Sequence, residues 1–470
     1  MPALPFSFQT NPGRHPSGGV ARLVNCYGAE VGEGQRARLN IYASDGLGTF
    51  ATHSAAAGTR LLFPADSYLY ALCGRVLSRF DSLGSETVIG GIPSDGAVFA
   101  ARNRRSPGGE IGITVGGLFY IVAGTTLTRV TDADLTGAPV GICFLAGYFI
   151  LPCSDGRFFW TGIDDGSAVA ALDFASAEAN PDGGMAAKAR GDDLVLFGTR
   201  STEFHRLTGD AASPFARSSV INVGCLSAAS VTEIAVVSAT SVSDTIGWVA
   251  ADRQGRAAGV VLLEGNTARK ISPEWLDILI ESDAAKADIE GTTWVRGGHS
   301  FYALTGSTWT AVFDTATGLW HSRESYGDSR WDVTQVVDFN GTLIAGTRTG
   351  GTMYKMGPDY HADGSDPLVM TAQSSPIAGE ADYNELELMI ATGVGTLADT
   401  DPQVTMCWSD DGENWSGERA RSLGAMAQSD AIVRWHRMGT NRSGRGGRSF
   451  RFRSSAAVTR IIYGAEINPR

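Results

Sequence analysis

The sequence lacks the short motifs by which many metal enzymes and nucleotide enzymes are recognised. Its seven histidines include no H-E-x-x-H pair, and its six cysteines include no C-x-x-C pair, the spacings that bring metal ligands or redox thiols together. It also has no P-loop, no G-x-G-x-x-G after a strand and no G-x-S-x-G elbow. We therefore predict a protein that is not an enzyme and has no catalytic, metal-binding or cofactor-binding residues.

Long apolar runs are missing as well. The longest near-continuous run, around Ile142 to Pro152, is about half of the ~20 residues that a membrane-crossing helix needs. The opening MPALPFSFQT shows no basic start followed by an apolar core, so it does not resemble a signal peptide. We expect no membrane span and no secretion, and we expect the scattered cysteines to be buried, reduced thiols of a protein made in a cytoplasm.

Glycine and other turn-forming residues are abundant instead. The 470 residues include 59 glycines, and charged residues make up only 19%, which leaves little material for long charged helices. Many short apolar runs between turns predict an all-β protein. The formal net charge of −12 argues against general adsorption to nucleic acid. An acidic wall past which DNA slides is compatible with this charge but is not implied by it.

A strand–turn–strand unit recurs irregularly from about Leu61 to Met356. Two examples are GGLFYIVAGTTLTRVTD from Gly116 and GDDLVLFGTRSTEFHRLTG from Gly191, in which an apolar strand is followed by a more polar one. The spacing of roughly 30 to 55 residues between units brackets the ~40–50 residues of a propeller blade. We predict a β-propeller of six or seven irregular blades. A large β-sandwich or a meander is the alternative, because the Trp-Asp and kelch signatures are absent.

One segment, ISPEWLDILIESDAAKADI, predicts a helix. Ser272 fits the N-cap and Pro273 fits the first helical position. Trp275, Ile278 and Leu279 share one face at helical spacing. This face predicts either a contact between subunits or a lid packed over the propeller, and we favour the lid.

The same patterns suggest domain boundaries. Residues 1–55 contain two short strands with a turn, and residues 56–357 contain the propeller pattern. Residues 358–380 are rich in turn formers and are expected to form a linker. Residues 381–470 begin with the alternating pattern NELELMI and are expected to form a final β module.

The final module contains the most informative pieces. VTMCWSDDGENWS is typical of a strand, a tight turn at Asp411-Gly412 and a second strand. In SFRFRSS, aromatic and arginine residues alternate from Phe450 to Arg453, which places the rings and the cations on opposite faces of a strand. SDDGENW is similar to the sialidase aspartate box, but its glycine and its tryptophan each come one position early. A structural turn is the better interpretation.

Arginines make this module locally basic in an acidic chain. We take six of them as candidates for a subunit interface, because contacts between subunits require complementary charge. They are Arg419, Arg421, Arg434, Arg437, Arg451 and Arg453. The stretch NRSGRGGRSFRFR is also similar to RGG-type nucleic-acid-binding segments. Docking onto an acidic neighbouring subunit is the interpretation that we favour.

The order of these pieces resembles the packaged-DNA stabilisation proteins of short-tailed phages, which are ring proteins of the tail hub or nozzle. The matching pieces are S-D-D-G-x-x-W, R-x-x-S-L-G, W-x-R-x-G and the alternating Arg/Phe strand. Earlier pieces, such as ASAEANPD, LVLFG and the VFDTATGLW hairpin, extend the resemblance over roughly residues 140–465. One departure is the turn Ser44-Asp45-Gly46-Leu47, which lacks the proline of the family's turn.

The resemblance implies a β-sandwich platform, built from the N- and C-terminal segments, beside the propeller. It implies a homo-oligomeric ring, a hexamer by family analogy, that extends the DNA channel below the portal and adaptor. Such a ring retains packaged DNA and passes it during ejection without sequence-specific binding.

The same resemblance implies particular partners and a location. The neighbours would be the portal–adaptor proteins and a tail fibre, spike or needle protein. The protein would lie in the virion tail after synthesis in the host cytoplasm, and no cofactor is implied. The alternative is a propeller-type glycan-binding or glycoside-hydrolysing tail protein, which would need two carboxylates converging on one bond.

Overall fold

The computed structural model describes residues 3–15, 20–30, 39–170, 173–177, 182–237, 241–441 and 447–468. Within these ranges nearly all regular structure is β, and a single α-helix spans Glu274–Ser282. The chain forms two compact units. The sandwich unit combines Met1–Gly48, Thr308–Trp331 and Lys355–Arg470, and the propeller unit combines Thr49–Ser307 and Asp332–Tyr354.

The propeller unit begins with four antiparallel four-stranded sheets, each formed by strands that follow one another in the chain. The strands of the first two sheets are Thr59–Ala65, Tyr68–Cys73, Val76–Phe80 and Glu86–Gly91, then Val98–Arg102, Ile111–Val115, Leu118–Ala123 and Thr126–Arg129. The strands of the next two are Cys143–Leu145, Tyr148–Pro152, Arg157–Trp160 and Phe174–Ser176, then Gly184–Arg190, Asp193–Gly198, Thr202–Leu207 and Phe215–Ile221.

Three further β groups complete this unit. The fifth sheet consists of Gly224–Cys225, Thr232–Val237, Val242–Ala251, Ala257–Glu264 and Thr267–Lys270. The sixth group pairs Glu290–Arg296 with His299–Thr305, and the seventh pairs Val333–Phe339 with Thr342–Thr347. The strands Gly46–Thr52 and Thr352–Gly357 contain points at which the chain passes from one unit to the other.

The seven groups close into a circle within the propeller unit. The backbone N–H of Leu62, in the first sheet, donates to Oε1 of Gln335, in the seventh group, at 2.6 Å. One step earlier, the N–H of Val336 donates to the hydroxyl of Thr292 at 2.8 Å. Sheets repeated around a closed circle are the arrangement of a β-propeller. The predicted fold is therefore confirmed, with seven blades.

The core of this unit lies between neighbouring sheets. Leu72 and Leu77 of the first sheet pack in one cluster with Ile113 and Tyr120 of the second. The second strand of the first sheet, Tyr68–Cys73, is almost wholly buried, whereas no residue of the outer strand, Glu86–Gly91, is fully buried. This gradient explains why each repeated unit in the sequence changes from apolar to more polar.

The helix differs in detail from its prediction. It begins at Glu274 with Pro273 at the N-cap, and the hydroxyl of Ser272 donates to Oδ1 of Asp277 at 2.5 Å instead of capping the helix. Its buried side chains are Trp275, Leu276 and Ile280, whereas Ile278 is exposed. The predicted apolar face was therefore wrong at Ile278, because the helix buries the face that contacts the strand Ala257–Glu264.

The sandwich unit consists of two sheets that enclose one core. The first sheet has the order Cys26–Glu30, Leu39–Ala43, Ile461–Ile467, Glu385–Ile390 and Arg434–His436. Within this unit the second sheet has the order Thr310–Asp314, Leu319–Ser322, Val20–Val24, Met370–Gln373, Ser449–Ser454, Gln403–Ser409 and Arg419–Ser422, and Asn11–Pro12 pairs with Val20–Val24. Short pairs are formed by Ala362–Asp363 with Asp366–Pro367 and by Ala381–Asp382 with Thr440–Asn441.

The two ends of the chain meet in both sheets. Ile41 is opposite Ile462 in the first sheet, and Arg22 is opposite Gln373 in the second. Phe452 packs in the same buried cluster as residues of the facing sheet, including Trp435. The predicted sandwich built from the N- and C-terminal segments is therefore confirmed.

The segment Thr308–Trp331 contacts the first segment of the chain. The sequence pattern places it in the range 56–357, and its contacts group it with the sandwich unit. Ser322 pairs in parallel with Val24, and the amide nitrogen Nδ2 of Asn25 donates to the carbonyl of Glu324 at 2.9 Å. A hairpin pattern shows that two strands pair with each other but does not show which distant strand lies beside them.

Closure of the propeller can be tested at Gly346. A Cβ at this position would lie 2.6 Å from Cγ2 of the buried Thr59 across the junction of the seventh and first blades. We expect Gly346→Ala to lower the free energy of unfolding by about 1–3 kcal/mol through overpacking. Urea unfolding measures this, with Gly417→Ala as the control because its Cβ would meet nothing within 4 Å. Equal losses in both variants would contradict the closure.

Candidate functional site

The turn after the strand Gln403–Ser409 is held by its own hydrogen bonds. Asp411 accepts the side-chain amide of Asn414 at 2.7 Å, and its other oxygen accepts the backbone N–H groups of Glu413 and Asn414. These donors, led by the Asn414 side chain, hold the pKa of Asp411 well below its usual range. Gly412 takes a φ of +81°. A turn lies at Asp411-Gly412 as predicted, but the second strand begins only at Arg419, beyond the predicted stretch. The carboxylate of Asp411 is engaged in holding the loop.

The neighbouring Asp410 binds a buried arginine. Nε and Nη2 of Arg448 donate to the two oxygens of Asp410 at 2.6 and 2.8 Å, and Nη1 donates to the carbonyl of Met438 at 2.8 Å. The guanidinium of Arg448 also lies over the ring of Tyr383, at 4.5 Å from its centroid. A two-pronged pair of this kind fixes direction as well as distance. Through its bonds to Asp410 and Met438, Arg448 joins the turn to the segment that precedes the strand Thr440–Asn441.

Arg448 is not among the six arginines selected from the sequence, although its spacing from Phe450 indicates that it is buried. Arg448 and Phe450 are two residues apart, so they point to the same face of an extended chain. Phe450 was predicted on the ring-bearing face and is fully buried. An arginine on that face needs a partner inside the protein.

Two of the six predicted interface arginines act across the edge of the sandwich. Nε of Arg421 donates to the carbonyl of Arg434 at 2.7 Å, and Nη1 of Arg419 donates to the carbonyl of His436 at 2.9 Å. The indole N–H of Trp435 returns a bond to the carbonyl of Arg419 at 2.8 Å. These bonds satisfy backbone groups at the ends of both sheets. They give Arg419 and Arg421 a role inside the subunit.

Arg434 and Arg437 differ in their surroundings. Arg434 pairs with Glu385, at 2.6 Å, and with Glu387 on the adjacent strand, as opposite charges do on paired strands. Arg437 is exposed and takes a φ of +59°. Of these two, Arg437 is the one whose charge is presented to solvent.

Arg451 and Arg453 project from the outer face of the second sheet, opposite to Phe452. The guanidinium of Arg451 lies 3.6 Å from the centroid of the Trp415 ring. Nη1 of Arg453 pairs with Glu418 at 2.9 Å, and both of these side chains are exposed. The predicted alternation of rings and cations is therefore confirmed.

A third arginine extends this charged face. Arg22 lies on the neighbouring part of the same sheet and pairs with Glu324. Burial lowers the pKa of Arg451, and the nearby cations Arg453 and Arg22 lower it further. Burial raises the pKa of Glu324, and the nearby cations Arg22 and Arg453 act to lower it. We call Arg22, Arg451 and Arg453 the arginine face.

A second group of charges is buried in the sandwich unit. Arg323 is wholly buried, donates to the carbonyl of Asp45 and lies 3.9 Å from the centroid of a ring of Trp331. Arg460 donates to the carbonyls of Leu368 and Ser454. Burial lowers the pKa of Arg460 to about 10.

Asp363 is a carboxylate on which both of these arginines act electrostatically. Burial raises its pKa to about 6, against the opposing effect of Arg323 and Arg460. The strand that contains it pairs with Leu47. This group therefore ties together segments from the start, the middle and the end of the sequence.

The two carboxylates at one cavity of the propeller unit are engaged in bonds within the protein. In the propeller unit, a cavity between the third and fourth blades is lined in part by Asp182 and Glu203. Glu203 is buried and pairs with Nε2 of His205 at 2.9 Å, so its carboxylate has a partner within the same blade. In the described part of the chain, no group of three or more His, Cys, Asp and Glu side chains could hold a metal ion. No described helix is long and apolar enough to cross a membrane.

Two family models match the chain in the order of its two folds. The model described as Bacteriophage P22 Gp10, beta-propeller, matches residues 37–361, and the model described as Bacteriophage P22 Gp10, beta-sandwich, matches residues 373–470. The chain belongs to the P22 Gp10 family. This is the DNA-stabilisation tail protein family of podoviruses, so the predicted resemblance is confirmed. Its members are structural phage proteins, and the chain is a component of the virion tail.

Other comparisons add little to this assignment. No curated protein matches the chain. Among solved structures, a virginiamycin B lyase from Staphylococcus aureus has 13% identity and a TM-score of 0.45, over 66% of this chain and 99% of that one. The WD40 propeller domain of Doa1 has 9% identity and a TM-score of 0.41, over 67% and 97%. Likeness at this level supports no functional comparison.

The buried pair of Arg448 and Asp410 should matter for stability. Arg448→Met removes three charge-assisted donors from a buried position, and we expect a loss of roughly 2–3 kcal/mol in the free energy of unfolding. Arg437→Met, at an exposed position nearby, should change it by no more than about 0.5 kcal/mol. Thermal and urea unfolding measure both variants. A loss in Arg437→Met as large as in Arg448→Met would contradict this account.

Asp363 should make stability depend on pH. Its pKa in the folded state, about 6, lies above its ordinary value, so the folded state binds the proton more tightly than the unfolded chain does. Stability from this group is therefore present at low pH and is lost as pH rises from about 4 through 6. Relative to Asp363→Asn, the natural protein should lose up to about 3 kcal/mol across this window. Urea unfolding of both proteins at several pH values tests this. If the free energy of unfolding of the natural protein and of Asp363→Asn changed equally with pH, the prediction would be wrong.

Proposed function

We propose that this chain is one subunit of a ring, with six copies as the expected number, that extends the DNA channel below the portal and adaptor. The ring retains packaged DNA before infection and passes it during ejection. The observation that supports this proposal is the ordered match of both folds to a family of DNA-stabilisation tail proteins. The role is mechanical and electrostatic, since the carboxylates of the SDDG turn are engaged in structural bonds.

The surface charges fit such a ring. A closed ring of identical subunits is built from heterologous contacts, in which one surface of a subunit meets a different surface of the next. Arg22, Arg437 and Arg453 are exposed on a chain whose net charge is −12, and Arg22 and Arg453 also pair with Glu324 and Glu418 within the subunit. An acidic surface on the neighbouring subunit, or on the adaptor, would complement these cations.

The acidic composition also fits the passage of DNA. Phosphates and carboxylates repel each other, so a channel with net negative charge lets the duplex slide without sequence-specific binding. In this proposal the portal–adaptor proteins lie above the ring, and a tail fibre, spike or needle protein lies below it.

The native mass of the purified chain tests the proposal, measured alone and with portal–adaptor complexes. We expect a six-fold mass, or recruitment of six copies onto the adaptor. Arg453→Glu should weaken assembly and leave unfolding nearly unchanged, because its side chain is exposed. The control is Arg256→Glu, an exposed ion-paired arginine of the propeller unit. A stable monomer or trimer that ignores the adaptor would overturn the proposal, and a panel of polysaccharides would then test the glycan alternative.

A further inference from the structure

Two loops of the sandwich unit form an exposed apolar surface. They comprise residues 391–402 and 423–433, and we call them the loop pair. Leu397 is 91% exposed, Met426 is 58% exposed and Ile432 is 65% exposed. Water contact with three large apolar side chains on neighbouring loops is unfavourable, and such surfaces often mark sites of protein contact.

The loop pair is held in place by its own backbone. The N–H of Gly393 donates to the carbonyl of Leu423 at 2.8 Å, and the N–H of Ala427 donates back to the carbonyl of Gly393 at 3.1 Å. A third bond joins the hydroxyl of Thr392 to the carbonyl of Ser429 at 3.0 Å. These contacts fix the loops before any partner binds, so little conformational entropy is lost on association.

The charge of the loop pair is of one sign. It contains Asp399, Asp401 and Asp430 and no lysine or arginine. Asp401 and Asp430 are exposed. The surface is therefore apolar with an acidic border, and its partner needs cations beside apolar or aromatic groups.

The same chain presents such a surface elsewhere in its sandwich unit. The arginine face combines the exposed Arg22 and Arg453 with the ring of Trp415, on which the half-buried Arg451 stacks. Arginine and tryptophan are residues that concentrate binding energy at interfaces. Tyr326, which is 63% exposed, follows Glu324, the partner of Arg22, by two residues.

We propose that the loop pair binds the arginine face of a second copy of this chain. The inference rests on the proposed ring and names its contact: the loop pair of one subunit meets the arginine face of the next. Because the two surfaces differ, each subunit carries one loop pair and one arginine face. The contact can therefore repeat from subunit to subunit until the ring closes.

Substitutions in the loop pair test this contact in the full-length chain. Leu397→Asp places a charge at the centre of the apolar surface, and we expect assembly, measured by native mass alone and with the portal–adaptor complex, to fall at least tenfold. Met426→Gln should have a smaller effect in the same direction. The control is Leu83→Asp, which changes an 86% exposed leucine of the propeller unit. Circular dichroism and the unfolding midpoint should stay unchanged in all three variants.

A charge exchange tests the pairing itself. Asp430→Arg and Arg453→Glu should each weaken assembly, and the double variant should recover much of the lost assembly, as a direct charge pair requires. Normal assembly of Leu397→Asp, or no recovery in the double variant, would overturn the proposed contact. If the wild-type chain still forms a ring in that case, the proposed function stands. A wild-type chain that stays monomeric in the presence of the portal–adaptor complex would overturn both the contact and the proposed function.

Discussion

The sandwich unit depends on pairing between the two ends of the chain. Strand Leu39–Ala43 lies beside Ile461–Ile467, and Val20–Val24 lies beside Met370–Gln373. The buried cluster of this unit draws on both ends, with Leu23 from the first segment and Phe452 from the last. The entropy of joining such distant segments is offset only when both sheets and their core form together. This constraint makes the C-terminal arginines and the N-terminal Arg22 parts of one surface.

Buried arginines are the second feature of this unit. Arg448 and Arg460 each give several hydrogen bonds to carbonyls or a carboxylate inside the protein, and Arg323 gives one to the carbonyl of Asp45. A buried charge is costly without such bonds, so these side chains help to specify how distant segments meet. The six arginines selected from the sequence also differ in whether they bind groups inside the subunit. Arg419 and Arg421 bind backbone within the subunit, whereas Arg437 and Arg453 face solvent.

Sequence patterns predict the local structure well. Alternation in SFRFRSS places Phe450 and Phe452 inside and Arg453 outside, because the period of a strand is two residues. Repeated hairpins predict the propeller, because each blade is formed by consecutive strands. The confirmed family resemblance rests on short pieces in a preserved order.

Patterns carry less information where the outcome depends on distant partners. The hairpin in Thr308–Trp331 has the same appearance as a blade hairpin, yet Ser322 pairs with Val24. The exposure of Ile278 follows from which face of the helix meets the strand Ala257–Glu264. The roles of Arg419 and Arg421 depend on carbonyls of another strand, and the loop pair depends on backbone bonds between segments about thirty residues apart. Tertiary contacts decide each of these cases.

The central claim is that copies of this chain surround the DNA path as a ring in the virion tail. Electron cryomicroscopy of tails from intact particles tests it most directly, by counting the copies around the tail axis and locating their sandwich units. The account predicts six copies below the adaptor, with the loop pair of each against the arginine face of the next. Three copies at the tip of a fibre, or copies away from the DNA path, would contradict it.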